Sequence, residues 1–195
     1  GPVLVDVPMD LFSLEIDPQL VDRALTNRLD YAKPTITEEL AAEPCVDGAD
    51  WRWDGVRFTT WRWTEATAGN AASCVLRVEA GGERLLLTGD IDARAERALR
   101  AAGRDLRADW LLAPHHGSRS SSSMAFLKAV RPHTVLISRG VHNAFGHPHP
   151  LVLARYRALG SEVADTAERG ALRIRLGQHS TIEALRDRPR FWREK

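Results

Sequence analysis

Three short polar motifs carry the residue types that could do chemistry, and each lies after an apolar stretch. The first ends at Asp90, the last residue of the run LLLTGD. A carboxylate at the carboxyl end of a buried strand lies where α/β folds place their ligands. Gly89 leaves room for a ligand or ion to approach the backbone closely. The alternative is that Asp90 only caps a helix that begins near Asp92, and this motif alone leaves both interpretations open.

The second motif is PHHGS, which follows the apolar residues 110–113 and contains His115 and His116. Neutral imidazole and carboxylate are common ligands of zinc, manganese and iron. Because adjacent residues project in different directions, we expect one of these histidines to bind a metal and the other to contact substrate or support the ligands. Ser118 and Ser120 could donate hydrogen bonds to a phosphate, or they could be ordinary loop and helix-capping residues.

The third motif is HNAFGHPHP, which follows the apolar residues 134–138. His147 lies between glycine and proline in a loop that is restrained before any ligand binds, so we expect it to donate a proton or to contact a phosphate. Asn143 and His149 are further candidates for substrate contact, although His149 could simply cap the helix that begins at the next residue. Asn70 precedes a predicted strand and is either a turn residue or the edge of the site.

Strands and helices must bring these motifs together. Apolar runs between turn residues predict strands, and helical periodicity with capping residues predicts helices. The predicted strands cover residues 56–63, 73–79, 84–88, 109–113, 133–138, 162–165 and 171–176. The predicted helices cover residues 17–29, 92–102, 122–130 and 150–159, with a loop at 33–50. Strands that alternate with helices in the second half indicate an α/β (α+β) fold, in which such motifs meet at one sheet edge.

Composition narrows the classes of function. The 195 residues carry a net charge of +1, so a nucleic-acid role would need a local basic surface or a bound metal. No apolar run approaches the roughly 20 residues that span a bilayer. Cys45 and Cys74 are either two buried thiols or one disulfide, and Cys74 lies in an apolar strand where it would be a poor nucleophile. The tryptophans at 51, 53, 61 and 63 are expected to pack in the core or at its edge rather than stack on bases.

The order and spacing of the motifs resemble a known family. The similar segments are LLLTGDID, ADWLLAPHHGSRSSSS, RPHTVLISRGVHNAFGHPHP and GALRIRL. They resemble the C-terminal metallo-β-lactamase-like domain of the ComEC family of DNA-internalisation competence proteins, over residues 50–177. The resemblance implies an αββα sandwich with a two-metal Mn or Zn site that activates water and neutralises phosphoryl charge. The implied activity is that of a nuclease, which degrades the non-imported DNA strand.

The same resemblance assigns roles to individual residues. Asp90 matches the family's metal-bridging aspartate, and His115 or His116 matches its late histidine ligand. Asp90, His116 and His147 are therefore the expected catalytic residues. The expected substrate-contacting residues are Asn70, Ser118, Ser120, Asn143, His147 and His149.

Partners and location follow from the resemblance as well. The implied partners are single-stranded DNA, the membrane-channel portion of the same parent protein and other competence DNA-uptake proteins. Cys45 and Cys74 fall where related sequences carry cysteines, which favours a disulfide. The chain would then be a soluble domain of a bacterial inner-membrane protein on the periplasmic or extracellular side.

One departure from the family concerns its principal metal motif, H-x-[HD]-x-D-H, which precedes the first helix in related sequences. No histidine occurs before His115. We therefore expect a partial domain over residues 1–185, which lacks its front strands and first metal motif, followed by a basic tail at 186–195. A zinc site generally uses three or four protein ligands, so a non-catalytic domain that binds DNA or scaffolds a channel is the alternative function.

Overall fold

The computed structural model describes residues 3–7, 45–177 and 181–184, which contain ten strands, four α-helices and two short 3-10 helices, Asn70–Ala72 and Pro114–Gly117. The strands are β1 (Val3–Val7), β2 (Asp50–Trp53), β3 (Val56–Trp61), β4 (Val75–Ala80), β5 (Glu83–Leu87), β6 (Trp110–Leu112), β7 (Thr134–Ile137), β8 (Glu162–Asp165), β9 (Leu172–Leu176) and β10 (Thr181–Ala184). The helices are α1 (Ala93–Ala101), α2 (Met124–Val130), α3 (Pro150–Ala158) and α4 (Thr166–Arg169). The predicted helix at 17–29 and the tail at 186–195 lie outside the described residues.

Seven strands form a mixed sheet in the order β2-β3-β4-β5-β6-β7-β8. Neighbours from β2 to β5 are antiparallel, and the β4–β5 hairpin turns at Gly81 and Gly82, with φ of 58° and 86°. Two successive positive φ angles are what a two-residue hairpin turn requires, and glycine adopts them without strain. From β5 to β8 the strands run parallel. Their carboxyl ends therefore share one edge, which confirms the predicted convergence of the three motifs.

Alternating side chains bury both faces of the parallel strands. Leu86, Leu111 and Val135 face helices α1, α2 and α3, whereas Leu85 and Leu136 pack with residues of a second, three-stranded sheet in the order β1-β9-β10. All five side chains are fully buried. Burial on both faces explains why these strands are continuous hydrophobic runs in the sequence. The described layers are thus helices, the large sheet and the small sheet, which are three of the four layers of the expected αββα sandwich.

The start of α1 decides between two interpretations of the first motif. The carboxylate of Asp92 accepts hydrogen bonds from the backbone N–H groups of Arg94 and Ala95, at 2.9 and 3.1 Å. Asp92 therefore caps the helix, and Asp90 does not.

Four of the strands and α-helices are absent from the predictions, namely β1, β2, β10 and the single-turn helix α4. All four residues of β2 are exposed, so burial imposes no alternation of apolar and polar residues on its sequence.

The four tryptophans of residues 51–63 differ in burial. Trp61 is buried and Trp63 packs against the core, as predicted. Trp51 stacks on Phe58 with ring centroids 5.3 Å apart. Trp53 is 75% exposed on β2, so the packing prediction is wrong for that residue.

The two cysteines form a disulfide, and their Cα atoms are 5.9 Å apart. Cys45 precedes β2 and Cys74 immediately precedes β4. In the chain-entropy account, closing a loop with a sequence separation of 29 stabilises the fold by roughly 3–4 kcal/mol.

Within the described ranges, no helix combines the length and apolar character that crossing a bilayer requires.

Candidate active site at the strand ends

The ends of β5 and β6 are tied together by hydrogen bonds just before the site residues. The Thr88 hydroxyl donates to the carbonyl of Leu112 at 2.9 Å, and the N–H of His115 donates to the carbonyl of Gly89 at 3.0 Å. The backbone of Asp90 donates to the hydroxyl of Ser73 at 3.3 Å. These bonds fix the backbone at Asp90 and His115 relative to the sheet, so the geometry of the side chains beyond them is preorganised.

Asp90 and His116 face each other across this edge. Nδ1 of His116 lies 2.8 Å from the carbonyl oxygen of Ser138, at the end of β7. Because a carbonyl can only accept, Nδ1 carries a proton, and in the neutral ring the lone pair is on Nε2. That Nε2 lies 3.6 Å from Oδ1 of Asp90. Two acceptors this close repel unless a proton or a metal cation lies between them, and metal-binding histidines are typically oriented by such a bond from their other nitrogen.

The backbone that carries the two histidines is strained. His115 and His116 have φ of 49° and 54°, in the left-handed region that side chains other than glycine rarely adopt. Such a conformation costs roughly 1–3 kcal/mol per residue and occurs preferentially at functional sites. The turn closes with a hydrogen bond of 2.8 Å from the N–H of Ser118 to the carbonyl of His115.

Gly117 brings the third motif against the second. Its φ is 79°, and a Cβ at this position would lie 2.7 Å from Cβ of Pro148. Its carbonyl also accepts a hydrogen bond from the N–H of His149 at 2.9 Å. Only glycine has both the conformation and the space that this contact requires.

The side chain of His115 points to a different set of partners from that of His116. Nδ2 of Asn70 lies 3.2 Å from Nδ1 of His115, so Asn70 does reach the site. The ring of His115 meets the ring of His147 edge to face, with centroids 5.7 Å apart. Of the two histidines, His116 is therefore the one that faces Asp90.

His147 is held by its own loop. The carboxamide of Asn143 brackets its backbone: Oδ1 accepts from the N–H of His147 and Nδ2 donates to its carbonyl, both at 2.8 Å. Burial, with the charges that His115 and His116 would carry, lowers the pKa of His147, so its imidazole is mainly neutral at pH 7. Asn143, a predicted substrate contact, thus uses its amide to position His147.

Two other predicted contacts have structural partners. Nδ1 of His149 accepts a hydrogen bond from the N–H of Leu151 at 3.2 Å, so His149 caps α3. Ser118 is buried, with Oγ 3.1 Å from Oγ of Ser120. Ser120 itself is exposed.

A buried network beneath the serine-rich segment has no counterpart in the predictions. The carboxylate of Glu96, with no exposed surface, accepts hydrogen bonds from the N–H groups of Ser122 and Ser123. Arg155 donates to the carbonyl of Ser122 at 3.0 Å, and the hydroxyls of Ser122 and Tyr156 are 2.7 Å apart. Burial raises the pKa of Glu96. The sequence signal was an acidic residue on the apolar face of α1.

A metal ion fits this site only in part. The nitrogen and oxygen donors of His116 and Asp90 are chemically suited to a divalent cation. Among the residues that the structure describes, however, no group of three or more His, Cys, Asp or Glu side chains is arranged to hold a metal.

A cleft of about 530 Å³ runs along α1, away from this site. It is lined by residues such as Arg97 and Trp63, but by none of the candidate site residues.

Comparison with known proteins supports the fold. The family model described as "Metallo-beta-lactamase superfamily" matches residues 20–142, a range that includes Asp90, His115 and His116 and ends before His147.

Several curated proteins are similar over most of the chain. Competence protein ComA of Neisseria gonorrhoeae is 42% identical over 149 residues, which are 74% of this chain and 22% of that protein. YcaI of Escherichia coli is 35% identical over 78% of this chain and 21% of its own length. Recombination protein 2 of Haemophilus influenzae is 35% identical over 75% of this chain and 18% of its own length. The chain spans about a fifth of these relatives, and the expected resemblance to competence proteins is confirmed.

Proposed function

The chain belongs to the metallo-β-lactamase superfamily, and from this premise we propose that it is a metal-dependent phosphodiester hydrolase domain of a DNA-uptake protein. Its activity is that of a nuclease that degrades the non-imported strand. The family's hydrolytic fold and the names of the competence relatives support this proposal. A single observation carries it: Nε2 of His116 lies 3.6 Å from Oδ1 of Asp90.

In this proposal Asp90 and His116 supply two ligands of a Mn or Zn ion. The proton that Nδ1 of His116 donates to the Ser138 carbonyl keeps the lone pair of Nε2 on the side of Asp90. When bound, the metal would polarise the phosphoryl group and lower the pKa of bound water. The further ligands that a complete site needs are not among the groups that the structure describes.

The remaining site residues act on the substrate. His147, whose lowered pKa keeps it neutral, donates a ring N–H to a phosphate oxygen or to the leaving oxygen. Asn70 orients His115 through their contact at 3.2 Å, and His115 lies between Asn70 and His147. The exposed Ser120 contacts the phosphate backbone, while Asn143 holds the loop that carries His147.

Removal of the Asp90 carboxylate tests this assignment. Asp90→Asn in the full-length parent protein should reduce Mn- or Zn-dependent cleavage of single-stranded DNA by roughly 100-fold or more, because loss of even supporting groups of metal sites costs 10- to 100-fold. Asp54→Asn is the matched control, since Asp54 lies exposed in the β2–β3 turn with a φ of 47° that Asn tolerates. Cleavage by Asp90→Asn at the rate of the control would contradict the proposal.

The two-donor set also favours a second candidate, a non-catalytic domain that binds DNA or scaffolds a channel. Calorimetric titration of the full-length protein with Mn²⁺ and Zn²⁺ separates the two. The hydrolase should take up metal stoichiometrically, with affinity that Asp90→Asn weakens. Single-stranded DNA binding without metal uptake would instead favour the scaffold.

The proposed location is outside the cytoplasm, beside the membrane-channel part of the parent protein. The Cys45–Cys74 disulfide supports this location, because disulfides persist in oxidising compartments. Trapping the thiols with a maleimide at cell lysis checks it. Quantitative labelling of both cysteines in freshly lysed cells would contradict it.

A further inference from the structure

Phe145 is the most exposed of the large apolar side chains in the described residues, with 82% of its surface accessible. It lies at the tip of the loop that follows β7, two residues before His147. Leaving a phenylalanine in water forgoes roughly 1.5–3 kcal/mol of burial. The ring is therefore available to a flat partner beside the candidate active site.

The ring of Phe145 is oriented by the site. It stacks on the imidazole of His147, with centroids 5.8 Å apart and planes inclined by 19°. His147 in turn meets His115 edge to face at 5.7 Å. The rings of Phe145, His147 and His115 thus form a continuous row from the surface into the candidate site. The face of Phe145 that points away from His147 is exposed to solvent.

The loop holds this ring in place before any ligand arrives. The two hydrogen bonds between Asn143 and His147 close the loop on either side of the tip. Gly146 has a φ of 64°, and its N–H lies 3.4 Å from the carbonyl of Asn143. A preordered aromatic ring loses little conformational entropy when it binds a flat partner.

We infer that Phe145 forms a stacking subsite for one unpaired nucleobase, next to the phosphate that His147 contacts. This inference rests on the proposed function. An aromatic ring stacks on any of the four bases and so is tolerant of sequence. In a duplex both faces of a base are already covered by its neighbours, so the subsite selects single-stranded DNA over double-stranded DNA.

Binding without metal tests the subsite separately from catalysis. In the presence of EDTA, the affinity of the full-length protein for a short fluorescein-labelled oligothymidylate is measured by anisotropy. Phe145→Ala should weaken binding on the order of 5- to 150-fold, since stacking contributes about 1–3 kcal/mol per base. Phe145→Trp should restore it. Trp53→Ala is the matched control, because Trp53 is 75% exposed on β2, and it should leave affinity unchanged.

Abasic oligonucleotides identify the partner of the ring. A single abasic position at the stacked base should weaken binding to the wild type as much as Phe145→Ala does, and should have no further effect in that variant. Equal affinities of wild type and Phe145→Ala, or equal losses for abasic DNA in both, would overturn the subsite. Either result leaves the proposed function standing, because that is tested by metal-dependent cleavage of Asp90→Asn. A wild type with no affinity for the oligonucleotide overturns the subsite as well.

Discussion

The loop after β6, residues 113–123, and the loop after β7, residues 138–149, meet at one sheet edge but are stabilised in different ways. The first is held from beneath by the buried carboxylate of Glu96, which accepts from the backbone of Ser122 and Ser123. The middle of the second loop, residues 143–147, closes on itself through the carboxamide of Asn143 and leaves Phe145 82% exposed.

The two loops differ in how they are stabilised because one holds strained backbone and the other holds an exposed tip. The first loop carries two consecutive left-handed residues, His115 and His116, and such a conformation persists only when its surroundings over-determine it. The second loop presents side chains outward, and an exposed tip needs only to keep its shape. The first loop therefore depends on the buried network, although the Ser138 carbonyl of the second loop orients the ring of His116. The backbone of His147 depends on the local hydrogen bonds of Asn143.

The largest expected effect comes from Glu96→Ala. It leaves the N–H groups of the buried Ser122 and the partly buried Ser123 without an acceptor, at a cost of about 1–3 kcal/mol each. The free energy of unfolding should therefore fall by roughly 2–6 kcal/mol in a denaturant titration. Amide hydrogen exchange should accelerate at 118–123 and stay slow at His147. The exposed Glu65→Ala serves as the control and should change stability by less than about 0.5 kcal/mol. Equal effects of the two variants would break the contrast between the loops.

Gly117→Ala should act on both loops at once. Left-handed backbone at a residue other than glycine costs roughly 1–3 kcal/mol, and the added Cβ also meets Pro148 at 2.7 Å. Gly55→Ala isolates the second contribution, since Gly55 has a φ of 80° and a Cβ added there would have nothing within 4 Å. Thermal unfolding should show a larger loss for Gly117→Ala than for Gly55→Ala. Identical losses would mean that the two loops do not depend on this contact.

Asn143→Ala should affect only the second loop. Loss of its hydrogen bonds to the backbone of His147 should lower the free energy of unfolding by about 1 kcal/mol. Exchange of the His147 amide should accelerate while metal affinity at Asp90 and His116 stays as in the wild type. Asn143→Asp, which retains the acceptor for the His147 N–H, should restore part of the stability. A matching fall in metal affinity would contradict the division between the loops.

The last expected effect is a pH dependence at Glu96, which appears only over a limited range of pH. Its folded pKa is raised above the ordinary value of 4.5 by burial. The folded state therefore binds the proton more tightly than the unfolded state, so this stabilisation is complete below pH 4.5 and is lost as the pH rises through the folded pKa. The stability of the wild type relative to Glu96→Gln should fall over that window, by about 1.4 kcal/mol per pKa unit of displacement. If the difference in stability between the wild type and Glu96→Gln does not change with pH, the raised pKa of Glu96 is contradicted.

Much of the frame was predictable because its signals are local. Residues close in sequence are enough to identify the apolar runs of β5, β6 and β7 and the caps of α1 and α3. Parallel strands then place their carboxyl ends together. Strand β2 was not predictable, because a strand exposed at every residue carries no alternation. The single turn of α4 is too short for helical periodicity.

The proximity of the candidate site residues was predictable, but the different orientations of the two adjacent histidines were not. The motifs named Asp90, His115, His116 and His147, yet the choice between adjacent histidines depends on the Ser138 carbonyl, 22 residues from His116. The role of Glu96 depends on a segment 26 residues away. Such contacts arise from tertiary packing, and the sequence marks them only indirectly, as a charged residue on an apolar helix face.

The closed loop of Asn143 and His147 also bears on how such a domain could be re-engineered. Residues 144–146 are joined to the remaining described residues chiefly through the two ends of that closure. These three residues could be replaced by others without moving the Ser138 carbonyl or the facing pair of Asp90 and His116. Under the proposed function, selectivity for the DNA strand could then diverge between related domains while the proposed metal-binding pair is retained.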